Sequence, residues 1–457
     1  MMSIYKDCDI RGRYGEELGE REALLIGRSC ASLFPVSATT AVGGDVRIST
    51  PLLKQAVIEG LTGGGLAVYD LGTVPTPVFN FGVEILKAAG GIMVTASHNP
   101  PTYNGFKIAM GNLPLSTAEL QEIERRVREM DFRVTPGPPV QCLNVLGEYI
   151  NSLHSQLSLP GKPLRVVVDC GNGSLSNIAP DFLTSLGYTV IPLFCEPDGA
   201  FPNRSPNPSA PGALSALSRT VVQERAVVGI AFDGDGDRVV FVDDSGNVLP
   251  AEQVMIFFLR SRLPDRLRGE KFIYDLKSSR IVAQEVARLG GVSLVERSGY
   301  SFMKSRLIQE NAFMAAEISG HYFFRELGRD DGLYAAAVFL AQLSSLNEPL
   351  STITATYPQP HVSQDIRIPS RDYEDIFTVL DRSLPGVHIT RLDGIRAEWS
   401  DGWALIRKSV TEPVYTLRFE VNHPDNLLQL VNRFLAPLPD MEKEVLEQIA
   451  LSREAGE

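Results

Sequence analysis

Hydrophobic positions along the chain recur in blocks, each opening with a short β-type run and continuing into a helical stretch. Runs at Ala41–Asp45, Arg165–Asp169 and Phe272–Asp275 each end at an acidic residue in a turn. The helical stretch after each stops at glycine, at Gly63–Gly65, Gly187 and Gly290–Gly291, where the left-handed conformation closes a helix. A second strand is predicted at Leu66–Tyr69, Tyr188–Leu193 and Val292–Glu296, and a third at Gly91–Val94, Val227–Phe232 and Ala312–Ala316. Strands alternating with helices predict parallel-sheet α/β units with right-handed crossovers.

The pattern changes from about Gln359 onward, where shorter strands and one or two helices are predicted. Val414–Val421 places Leu417, Phe419 and Val421 on one face and Thr416, Arg418 and Glu420 on the other, as a half-buried antiparallel strand does. Asp440–Glu457 reads as a charged terminal helix. At 457 residues the chain is too long for one core. The expected fold is therefore three similar α/β domains with mixed, mainly parallel sheets, at 1–142, 143–247 and 248–358, with a smaller α+β domain at 359–457. The three α/β domains are expected to contribute one loop each to a shared central cleft.

The loop after the third strand differs in each unit: Thr95-Ala96-Ser97-His98-Asn99-Pro100, Asp233-Gly234-Asp235-Gly236-Asp237-Arg238 and Glu317-Ile318-Ser319-Gly320-His321. Open α/β sheets bind ligands beyond the carboxyl ends of their strands, so these loops are expected to line the cleft. Asp233, Asp235 and Asp237, separated by single glycines, crowd three carboxylates that a divalent cation must neutralise. Hard oxygen donors suit Mg²⁺. A calcium EF-hand would need glycine and glutamate where Arg238 and Asp244 stand.

Ser97 sits between a strand and the stiff Asn99-Pro100-Pro101 exit. Serine in a loop is ordinarily a turn former. His98 beside it should point the other way in an extended segment, making it a poor base for Ser97. A phosphate on Ser97 would add oxygens to a Mg²⁺ shell. Tyr103–Lys107 brings Lys107 toward the same place, and Asp9-Ile10-Arg11-Gly12 sets an arginine before a glycine. Arg407-Lys408-Ser409-Val410-Thr411-Glu412-Pro413, joining two strands, suits a phosphate.

Charge makes such local cation clusters necessary. A net charge of −12 repels nucleic acid and anionic membranes, so an anionic substrate must find its own Arg, Lys and N–H groups. The five cysteines form no C-x-x-C pair, arguing against a zinc site or disulfide framework. With no apolar leader or membrane-length run, a cytoplasmic protein is expected.

Together these loops resemble the α-D-phosphohexomutase superfamily, closest to its bacterial phosphomannomutase/phosphoglucomutase branch. Asp9–Gly12, Val74–Pro77, Thr95–Pro100, Asn104–Lys107, Asp169–Gly173, Pro197–Asn203, Asp233–Arg238, Glu317–His321 and Ser409–Pro413 carry the resemblance almost end to end. It implies a four-domain cleft, a phosphoserine at Ser97, and Mg²⁺ held by Asp233, Asp235 and Asp237 with the Ser97 phosphate. Glu317 and Ser319 would hold sugar hydroxyls, and Arg407, Ser409 and Thr411 the phosphate not being transferred. Lys107 and His321 would be acid/base candidates, Arg11 and Arg238 would assist, and Lys277 would reach the substrate.

The implied reaction passes phosphoryl from Ser97 to a hexose 1- or 6-phosphate and retrieves the other from a hexose 1,6-bisphosphate. Positioning and charge neutralisation carry most of such catalysis. The partner is a small phosphosugar rather than nucleic acid or membrane, and the protein is expected to be a monomer or small homo-oligomer. Cys8 stands where the family has tyrosine, Tyr300 where a substrate-contacting histidine is usual, and Val410 where a small or polar residue is; Tyr322–Asp331 is shortened. Within the family, phosphoglucosamine mutase is the alternative, disfavoured by apolar Ile318 between Glu317 and Ser319. From another class, a Mg²⁺-dependent sugar phosphatase would also use clustered aspartates, but would not need Ser97.

Overall fold

The computed structural model describes residues 4–6, 8–157, 161–262, 267–370, 375–409 and 414–454. Three of its four sheets repeat one strand order. The first strand of each unit is central, with the second strand parallel on one side and the third parallel on the other. An antiparallel strand then follows the third. In the first unit these are Thr39–Gly44, Ala67–Thr73, Gly90–Val94 and Tyr103–Met110. In the second they are Arg165–Asp169, Thr189–Leu193, Val228–Phe232 and Val239–Asp243, and in the third Lys271–Asp275, Val292–Glu296, Met314–Ala316 and Tyr322–Phe324. The first sheet is extended by Ile10–Arg13, antiparallel to Tyr103–Met110.

The reversal from the third strand to its antiparallel neighbour positions the chemistry. Ser97, the triple-aspartate loop and the Glu317–His321 loop all occupy that one turn. The flanking strands are almost wholly buried: every residue of Gly90–Val94, Val228–Phe232 and Met314–Ala316 is. Buried on both faces, such strands read as continuous apolar runs rather than alternating ones.

One hydrophobic core runs through all three units, from Val74 and Phe79 through Val168 and Phe241 to Phe257 and Phe339. Phe339 stacks on Phe241 at 4.0 Å and on Phe257 at 4.2 Å. A separate core serves the fourth unit, an antiparallel sheet of His361–Val362, Val414–Val421, Gly402–Lys408, Ile395–Trp399 and His388–Thr390, with Ile366–Pro369 also pairing with Val414–Val421. Helices Leu427–Leu435 and Pro439–Glu454 cover it.

One expectation for Val414–Val421 needs correcting. Leu417, Phe419 and Val421 face the core, but Thr416 and Glu420 on the opposite face are buried as well. That face packs against the third unit: Glu420 accepts from the Trp403 indole at 2.7 Å and pairs with Arg280 at 3.3 Å. Beside it, fully buried Arg396 donates to the carbonyls of Leu276 and Ser278 and lies over the Trp403 ring at 4.1 Å.

Candidate active site

Ser97 is fully buried, with φ of +50°. A serine in the left-handed region is strained by about 1 kcal/mol or more, so its surroundings must hold it there. Arg47 does so: its guanidinium donates to the carbonyls of Ser97, Asn99, Pro100 and Tyr103 at 2.7–3.0 Å while pairing with Asp45. Asp45 in turn accepts from Thr50 and Thr95, and the Thr95 hydroxyl accepts from the Ser97 N–H.

The left-handed turn overturns one expectation. Because the chain at Ser97 is not extended, neighbouring side chains do not alternate, and His98 Nδ1 lies 3.3 Å from Ser97 Oγ. Burial, with Arg238 and Arg11 nearby, holds His98 well below the ordinary imidazole range, so the ring is neutral.

Ser97 Oγ donates to Asp233 Oδ2 at 2.8 Å. The turn of the aspartate loop is held by the N–H groups of Gly236 and Arg238, which donate to Asp233 Oδ1. Asp235 Oδ2 accepts from Thr76 at 2.6 Å, Thr95 at 3.3 Å and the Lys107 ammonium at 2.7 Å. Lys107 also bridges to Asp237. Donor oxygens of Asp233, Asp235 and Asp237 lie within 4.8 Å of one another, all buried. Carboxylates about 4 Å apart repel by about 4 kcal/mol per pair at an effective dielectric of ~20, so one ammonium does not neutralise three. Burial and then the neighbouring Asp235 and Asp237 accordingly push Asp233 up to about 7. Asp235 is held below the carboxylate range: burial opposes this, but Lys107 and the Thr76 hydrogen bond prevail. Buried Lys107 is pushed up by the same aspartates.

Asp235 Oδ1 and Asp237 Oδ1 are buried without a hydrogen-bond partner. Two orphan oxygens in an all-carboxylate cluster, with a hydroxyl on one member, fit a hard divalent cation.

The third loop closes against the second. Arg238 and His321 form an antiparallel bridge, and Val239 N–H donates to Gly320 O at 3.1 Å. Arg238 Nε donates to His321 Nε2 at 2.9 Å, while His321 Nδ1 meets Asp330 at 2.7 Å. Nε2 therefore carries a lone pair and Nδ1 the proton. Burial opposes a charge on His321, but Asp237 and Asp330 raise its pKa. Glu317 Oε1 accepts from Gly299 N–H at 2.5 Å, and Ser319 lies 3.5 Å from its other oxygen. Arg11 pairs with Asp9 at 2.7 Å and donates to Asn99 at 2.6 Å, so it grips the serine loop from the side.

The remaining expected residues pair elsewhere. Lys277 binds Asp365 at 2.9 Å and Arg407 binds Asp393 at 2.7 Å, both carboxylates belonging to the fourth unit. Ser409 N–H donates to Val414 O at 2.8 Å; Thr411 and Val410 lie outside the described residues. Tyr300 spans from the third unit to the first, donating to Cys8 O at 3.2 Å with its ring 5.3 Å from Lys107 Nζ. Sequence reasoning missed Arg47, Thr76 and Asp330. Two of them had a signal: Arg47 stands two residues past the turn acid Asp45, in an Asp-x-Arg spacing, and Thr76 lies within Val74–Pro77.

Family models for phosphoglucomutase/phosphomannomutase alpha/beta/alpha domains I, II and III match residues 2–134, 147–246 and 250–360. The chain belongs to the phosphoglucomutase/phosphomannomutase family. A relative from Pseudomonas putida, a phosphomannomutase/phosphoglucomutase, is 36% identical over 452 residues, covering 97% of each chain. A probable phosphoglucosamine mutase from Methanopyrus kandleri is 32% identical over 457 residues, covering 98% of this chain and 100% of that one. The crystal structure of a family member from Burkholderia thailandensis superposes with a TM-score of 0.89 at 32% identity, covering 97% of this chain and 98% of that one. The three matched segments correspond to the three repeated α/β units. Among the described residues no helix is long and apolar enough to cross a membrane.

Proposed function

We propose that the protein is a phosphohexose mutase, interconverting the 1- and 6-phosphates of mannose, glucose or both, with Ser97 as the phosphoryl carrier. The observation that carries this reading is the convergence in one buried cluster of Ser97 and the three aspartates, from equivalent turns of two units, with Lys107 from the strand Tyr103–Met110. A phosphatase gains nothing from holding a serine in a left-handed turn against three carboxylates.

In the forward half, the bond between Ser97 Oγ and phosphorus breaks as one from phosphorus to the free sugar hydroxyl forms. The hydroxyl proton goes to His321 Nε2 once Arg238 gives up the lone pair it occupies, while Asp330 fixes the tautomer. Lys107, kept protonated by Asp235 and Asp237, neutralises and protonates the departing serine oxygen. The hexose 1,6-bisphosphate so formed reverses in the cleft, and its other phosphoryl returns to Ser97 by the same path. Asp233, Asp235 and Asp237 would hold a Mg²⁺ ion, which would supply the charge neutralisation that phosphoryl transfer needs. Glu317 and Ser319 hold sugar hydroxyls, Tyr300 closes the wall between them and Lys107, and Lys277, Arg407, Ser409 and Thr411 hold the second phosphate once Lys277 and Arg407 exchange their carboxylate partners for it.

A coupled assay on mannose, glucose and glucosamine 1-phosphates, primed with glucose 1,6-bisphosphate, tests the reading. Isomerisation of mannose or glucose phosphate is expected. Release of inorganic phosphate without isomerisation would replace the mutase by a phosphatase, and turnover confined to glucosamine phosphate would move the enzyme to the other branch.

A further inference from the structure

Two thiols meet directly behind the aspartate loop. Cys170 follows the strand Arg165–Asp169 and Cys195 lies just beyond its parallel neighbour Thr189–Leu193, with their sulfurs 3.3 Å apart. Left-handed turns at Gly171, Asn172 and Phe194 bend both segments so that the side chains converge. Cys170 is buried, its sulfur 3.6 Å from Leu175 O, whereas Cys195 is partly exposed. Cys195 lines a surface cavity of about 710 Å³ with Phe194, Asn172, Asn203 and Glu196. One thiol is thus open to a small solute and the other stands behind it.

From this arrangement we infer that Cys170 and Cys195 form a peroxide-reactive dithiol whose oxidation to a disulfide slows the enzyme. The Cys195 thiolate attacks one peroxide oxygen, so an S–O bond forms, the O–O bond breaks and the leaving oxygen departs as water with a proton. The Cys170 sulfur then attacks Cys195; the S–S bond forms, the S–O bond breaks and a second water leaves with the Cys170 proton. Two thiols and one hydrogen peroxide become one disulfide and two waters. Hydrogen bonding by Cys170 lowers the Cys195 pKa while burial raises that of Cys170, which matches the order of attack.

The consequence for the site follows from packing. A disulfide requires about 2.05 Å between sulfurs, so the pair must close by more than an ångström. Cys170 begins the loop that supports the aspartates: its carbonyl accepts from Gly173 N–H, and Ser174 donates to Gly234 O through both its N–H and its hydroxyl. The approach is so close that a Cβ on Gly173 would lie 2.8 Å from Gly234 O. Pulling on Cys170 therefore pulls on the turn that sets Asp233 and Asp235.

The test uses the full chain carrying Cys142→Ser, which removes the exposed thiol. After hydrogen peroxide and alkylation, the denatured protein is cut with a protease specific for Asp and Glu; Asp181 is the only acidic residue between the two cysteines. We expect linked peptides two hydrogens lighter than their sum, released by reductant. Both cysteines remaining alkylatable, or Cys195 passing to sulfinic acid without cross-linking, would overturn the inference. This readout does not depend on the mutase reading. The rate arm does rest on it: peroxide should lower hexose phosphate turnover severalfold, reversibly, while Cys195→Ser keeps its rate throughout. A cross-linked enzyme with unchanged turnover would overturn the link to the site.

Discussion

The Ser97 hydroxyl donates to Asp233 at 2.8 Å, joining two loops 136 residues apart that hold equivalent positions in adjacent units. The contact exists because each unit turns from its third parallel strand to an antiparallel one at the same edge of its sheet. Thr76, whose N–H donates to Asp235 O and whose hydroxyl donates to Asp235 Oδ2, ties the aspartate turn to the start of the helix Thr76–Ile85 in the first unit.

Arg47 should be indispensable to that arrangement. Removing one partner of a buried ion pair costs about 3–5 kcal/mol, because the other is left charged and unpaired. Arg47→Ala is expected to lose about that much in urea unfolding and most of its turnover. Arg47→Lys, with one ammonium for four carbonyls, should fall between. Full activity and stability in Arg47→Lys would show that the serine loop holds its own conformation.

The aspartate cluster should take up one Mg²⁺ with a measurable heat of binding. Asp235→Asn keeps the shape, removes a charge and leaves Asp233 and Asp237. We expect it to weaken Mg²⁺ by more than the about 10- to 100-fold typical of losing an outer partner. Undiminished affinity would move the metal elsewhere.

Asp331 gives a pH dependence that does not involve catalysis. It caps the helix Gly332–Leu343 and accepts from Tyr149 at 2.9 Å, yet burial pushes its carboxyl up to about 6, with Arg329 and these hydrogen bonds opposing. A folded pKa above the unfolded value means that its contribution is complete below about pH 4 and is lost as pH rises through 6. The loss amounts to about 3 kcal/mol. Asp331→Asn cannot ionise, so its stability relative to wild type should improve by about that much between pH 4 and 7 in denaturant titrations. A pH-independent difference would contradict the assignment.

Much of this was legible in the chain. The strands Arg165–Asp169 and Val292–Glu296 were read to the residue, because short apolar runs bounded by an acid or a glycine leave little choice. The serine and aspartate turns were legible because Pro100 and the alternating glycines of Asp233–Asp237 mark loops by themselves. Burial of Glu420 and Thr416 was not, since alternation assumes solvent on the second face and here another domain covers it. Asp330 carries no local mark either; its role depends on a strand pairing that brings it to His321. The proximity of His98 to Ser97 was misread for want of one dihedral angle.

In the proposed reaction Ser97 carries the phosphoryl group between the two ends of the sugar. The most direct test of this role is intact-mass spectrometry of enzyme charged with glucose 1,6-bisphosphate, then mixed with one equivalent of glucose 1-phosphate and quenched. We expect one added phosphate on Ser97, absent in Ser97→Ala, that leaves the protein as bisphosphate appears. An enzyme that interconverts hexose phosphates at its normal rate with Ser97 replaced by alanine, or whose phosphate is released only as inorganic phosphate, would contradict it.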